Sequence, residues 1–207
     1  MSLMSSLVDL LSRHIPDTLF IDWLKQSACD DPEEMWTTCP RGSWLLQYVR
    51  ATRHGQNESE RKVLVRAAFE CASLSLTAHK NAPAVLEMRD ALEWYCRVEP
   101  IPPWDQNRLK LLDESDKALK IAEAKLGRGP WLAVVEAVKE AAKAAATAAL
   151  QQPQDRFTGF KTGERCWRAA VSTENIGDGM AVQTAEIVRR VIQFDSLRSL
   201  DDGKRPA

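Results

Sequence analysis

Nine of the 19 residues between Leu132 and Leu150 are alanine. No side chain favours the helix more. Small side chains also let a neighbouring helix approach closely, so this segment predicts a helix packed between others. The rest of the chain has to be compatible with such a rod, and its periodicity is. Leu3, Leu7, Leu10 and Leu11 recur at helical spacing, as do Val182, Ala185, Val188 and Ile192 near the other end. No run of alternating β-branched residues competes with them. These patterns predict an all-α fold, a multi-helix bundle of about seven to nine helices in two layers around one core. With 44% hydrophobic and 28% charged residues in 207, the chain has the material for that core.

Prolines, glycines and capping residues divide the helices. Asp17 or Thr18 can cap a helix carrying Leu19, Phe20, Trp23 and Leu24. Asp30-Asp31-Pro32-Glu33-Glu34 reads as a helix start, with acids set against the positive end of the helix dipole. Cys39-Pro40-Arg41-Gly42 breaks the chain before Trp44, Leu45, Leu46, Tyr48 and Val49, a helix apolar nearly all round and therefore central. Asn57 and Glu60 read as a capping box for a helix that turns Val63, Leu64, Ala67, Ala68, Cys71, Leu74 and Leu76 inward, with Arg61, Lys62, Arg66, Glu70 and Ser73 outward. Pro83 starts a further helix, and the proline-rich turn 99–104 offers a seam between sub-layers 1–99 and 104–200. Residues 105–126 carry another helical pattern, residues 151–178 read as a long excursion holding at most one short helix, and 179–200 reads as the last helix. The expectation is one helical domain over 1–203, with a disordered tail at 204–207.

Charge and cysteine usage bound the function. Twenty-eight basic against 29 acidic residues leave a formal charge of −1, against a dedicated nucleic-acid binder. The five cysteines, Cys29, Cys39, Cys71, Cys96 and Cys166, form no CxxC pair and read as small buried hydrophobes of a reducing compartment. The N-terminal residues lack the basic and apolar regions of a secretory signal, and no window reaches 18 uninterrupted apolar residues. A cytoplasmic protein with no membrane span is expected.

The residues that could carry chemistry stand in structural contexts. His14, His54 and His79 stand near predicted helix ends, where a histidine meets the dipole, and their spacing is not that of metal ligands. The acids at 30–34 lack the ligand spacing of a calcium loop. Cys39 begins a helix, but His54 is about 20 Å further along that helix, so a nucleophile and base pair is not indicated. Phosphate-cradle, nucleophile-elbow and zinc-protease motifs are missing from the sequence. The sequence therefore predicts no catalytic, metal or cofactor residues. Of the seven tryptophans, Trp104 and Trp131 follow proline-rich turns. With Trp167, Arg165 and Arg168 they form the candidate partner-binding surface, because tryptophan and arginine anchor protein interfaces.

The run Trp36-Thr37-Thr38-Cys39-Pro40-Arg41-Gly42-Ser43-Trp44-Leu45-Leu46 resembles a Cys-x-Arg-Gly-x-Trp-Leu-Leu-like motif of a bacterial family, the immunity proteins of polymorphic toxin systems. The helix beginning Arg61-Lys62 and ending Glu70-Cys71, the segment Arg89-Asp90-Ala91-Leu92-Glu93-Trp94, the alanine-rich 133–149 stretch and Ala185-Glu186-Ile187-Val188-Arg189-Arg190 are similar to that family in turn. Ser43 stands where the family often carries an acid. The resemblance implies a non-enzymatic module that binds and neutralises a cognate toxin. It also singles out Cys39, Arg41, Trp44, Glu70 and Arg89, for which a structural role is expected. Arg41 would tie its helix start to a nearby carboxylate. Arg41, Glu70 and Arg89 could instead line a pocket of a small-molecule-binding module or helical enzyme, and the alanine-rich helix could serve a homodimeric adaptor.

Overall fold

The computed structural model describes residues 3–15, 17–27, 29, 31–52, 58–77, 132–150 and 156–194, with 117, 120, 121 and 124 singly. Expectations that fall on 78–116, 125–131 and 195–207, Arg89, Trp104 and Trp131 among them, lie outside the described residues, as do Asn57, His54 and His79. Eight helices and no strand occur among the described residues: α1 (Leu3–His14), α2 (Thr18–Gln26), α3 (Pro32–Thr38), α4 (Gly42–Ala51), α5 (Glu58–Thr77), α6 (Leu132–Leu150), α7 (Arg156–Glu174) and α8 (Met180–Val191). None of them is long and apolar enough to cross a membrane. The fold is all-α, as the periodicity predicts.

The helix starts follow the sequence closely. Asp17 caps α2 through Oδ1, which accepts from the amides of Leu19 and Phe20. Asp31, rather than Asp30, caps α3, with Pro32 at the first position and Glu33 and Glu34 in the first turn. The central helix is α4: every residue from Gly42 to Val49 is buried. It packs extensively on α7 and α8 and to a lesser extent on α1. Trp44 stacks on Phe20 at 5.4 Å and lies 5.7 Å from Trp23, joining α4 to α2. Trp36 of α3 packs on Tyr48 of α4 and on Phe194, which follows α8.

The second half of the bundle is α5, α6 and α7. The pairing of α6 with α7 is the most extensive in the structure, and α5 lies against both. Ala137, Ala141, Ala142, Ala144 and Ala145 are buried together with Val134, Val135 and Val138, so the alanine face of α6 is taken up within the chain. A single hydrophobic core runs from Leu7 to Ile192 and draws on every helix from α1 to α8.

Two expectations are corrected. The region 151–178 is no loop excursion: α7 fills most of it with 19 helical residues. Its buried positions, Thr162, Gly163, Cys166, Ala169, Ala170, Thr173 and Glu174, have helical spacing but small or polar side chains. Hydrophobicity alone therefore hides it. A Cβ at Gly163 would meet the Arg50 side chain of α4 at 3.4 Å, an ordinary contact, so this helix-interior glycine keeps its usual cost of about 1 kcal/mol. The second correction concerns α5. Arg61 is 2% exposed and turned inward, whereas Val63 is 38% exposed. The inner stripe runs through Arg61, Leu64, Ala68, Cys71 and Ser75.

At Gly42 the backbones of α4 and α8 come very close. A Cβ there would stand 2.5 Å from the carbonyl carbon of Thr184 and 2.6 Å from its oxygen, both backbone atoms that cannot step aside. Gly42→Ala is expected to push α8 off α4 and to lower stability by about 2–3 kcal/mol in denaturant titration. Gly177→Ala meets nothing within 4 Å and should leave the midpoint within about 0.5 kcal/mol of the wild type.

Candidate functional site

The Cys39–Trp44 motif lies where α3, α4, α7 and α8 converge. Position 41 is the N-cap of α4, and arginine provides no capping oxygen. The amides of the first turn, left without a local acceptor, therefore need acceptors from elsewhere. The Ser43 amide donates to Glu174 Oε1 at 2.8 Å, and the Gly42 amide donates to Thr184 Oγ1 at 3.3 Å. Glu174, the last residue of α7, thus acts as a cap for α4 supplied from 131 residues away. A carboxylate is well suited to the positive end of a helix dipole.

Three further groups complete the cradle. Arg41 Nε donates to Glu174 Oε2 at 2.9 Å, Ser43 Oγ to the same oxygen at 2.8 Å, and Thr184 Oγ1 to Oε1 at 2.9 Å. The Glu174 side chain is 0% exposed, so this buried charge has an opposite charge and two hydroxyl donors around it, the condition under which burial of a carboxylate is tolerable. The Arg41 guanidinium also lies 5.3 Å above the Trp44 ring. Trp44 Nε1 in turn donates to Asp17 Oδ2 at 3.1 Å, the second oxygen of the residue that caps α2.

Arg189 of α8 closes the same region from the other side. Its Nε donates to the Trp36 carbonyl at 3.0 Å and its Nη2 to the Cys39 carbonyl, so it satisfies the C-terminal carbonyls of α3. Cys39 is fully buried, its Sγ directed to the Arg41 carbonyl at 3.5 Å. Burial pushes its thiol up from 9.0 to about 12, a shift only partly opposed by the Arg41 carbonyl contact and by Arg189. Burial likewise pushes the Cys71 thiol far up. A nucleophilic cysteine needs the opposite shift.

The residues singled out by the sequence fall into separate places. Arg41 meets the carboxylate expected of it, and that carboxylate is Glu174. Glu70 takes no part in that network. It lies on the outer side of α5, where Oε1 accepts from Arg66 Nε at 3.2 Å and Oε2 accepts from Arg190 Nη2 of α8. Of the surface candidates on α7, Arg165 Nη1 is bound to Glu140 of α6 at 2.7 Å, Arg168 Nη2 to Glu164 at 2.6 Å, and Trp167 is half-buried against the core. Arg165 and Arg168 share one side of the helix but each is bound to its own carboxylate, and Trp167 turns toward the core, so the three do not form one patch. The residues missed are Glu174, Thr184 and Arg189. Glu174 was concealed in the supposed excursion, and the other two read as ordinary members of an amphipathic helix.

One groove opens on the outer side of α5 and α8. Its cavity of about 400 Å³ is lined by Ser73, Leu74, Gln183, Glu186, Ile187 and Arg190 among others. Among the described residues no group of three or more His, Cys, Asp or Glu is placed to hold a metal ion. No protein-family model matches the sequence, and neither a curated protein nor a solved structure is similar to it.

Glu174→Ala removes the cap, the ion pair and both hydroxyl acceptors at once and is expected to cost about 3 kcal/mol or more. Arg41→Ala leaves the fully buried Glu174 carboxylate without its counter-charge and should cost a comparable amount, about 3 kcal/mol. Denaturant midpoints of the two variants check this. The raised Cys39 thiol stabilises the native state below pH 9, and that stability declines between pH 9 and about 12 as the unfolded chain loses the proton first. Stability against pH in this range should fall less steeply for Cys39→Ala than for wild type, by at most about 1.4 kcal/mol per pH unit.

Proposed function

We propose that this chain is a non-catalytic protein-binding module, of the kind an immunity protein represents, which acts in the cytoplasm by occupying the surface of a partner. One observation carries the reading. The polar groups of the motif that resembles the immunity family are consumed inside the fold: Arg41, Ser43 and Thr184 all point at Glu174, and both carboxylate oxygens are taken. A motif spent on holding four helices together is a scaffold motif. Scaffold proteins of this sort act through an outer face, and the groove beside the Arg66–Glu70–Arg190 ladder is the recessed part of that face. The raised thiols of Cys39 and Cys71 support the same reading, since they make poor nucleophiles.

The proposed partner is a toxin whose activity the bound module blocks. Affinity capture of the tagged chain from cells that also express its neighbouring genes should return one stoichiometric protein whose toxicity the chain suppresses. A chain that captures no protein and co-purifies instead with a small molecule would replace this reading with that of a ligand-binding helical module.

A further inference from the structure

We draw no further inference here: the strongest candidate, the groove on the outer side of α5 and α8 lined by Leu74 and Ile187, carries nothing, because the charges of Arg66, Glu70, Glu186 and Arg190 around it balance and nothing in the structure shows what covers it.

Discussion

The architecture depends on one buried carboxylate. Without Glu174, α4 would begin with an N-cap arginine that caps nothing, Ser43 would have a buried amide and hydroxyl to satisfy, and Arg41 would have no anion to meet. An unpaired buried polar group costs more than its hydrogen bond returns, so these groups stand or fall together. The same carboxylate fixes a distance. It holds the start of α4 against the end of α7, and Thr184 brings α8 into the joint. Gly42 then permits the backbones to meet at a separation that any other residue would deny.

Around this joint the helices are linked in series. Asp17 spends one oxygen on capping α2 and the other on Trp44 of α4. Arg189 spends its guanidinium on the end of α3. Thr173, one residue before the central carboxylate, donates to the Cys71 carbonyl and so ties α7 to α5. Side chains that cap one helix while binding a second fix relative position as well as local structure, and hydrophobic burial alone, being non-directional, cannot do that.

The sequence displays the helices better than the joint. Asp17, Asp31 with Pro32, and the apolar circumference of α4 are local signals, and each is readable because the residues that act are neighbours in sequence. The alanines of α6 are readable for the same reason. Helix α7 is not, because its inner face is made of Thr162, Gly163, Ala169, Ala170 and Thr173, whose side chains are small or polar and carry little hydrophobic signal. Arg61 of α5 misleads because a charge is expected outside. Arg41 can be read as needing a carboxylate, yet nothing near it in sequence identifies Glu174, since that pairing exists only once four helices have met. The groove is illegible for a like reason: Leu74 and Glu186 become neighbours only through the packing of α5 on α8.

The long reach of these contacts has a consequence for how the chain acquires its structure. The donors that surround Glu174 come from Arg41 and Ser43, 133 and 131 residues earlier, and Arg189 reaches back 153 residues to Trp36. Emergence from the ribosome proceeds at about 5–20 residues per second, so α3 and α4 wait several seconds with their ends unsatisfied. Among the described helices, those that meet α4 most extensively, α7 and α8, are made only after α5 and α6. The joint therefore closes only after α7 and α8 have been made, and its high sequence separation favours a late closure.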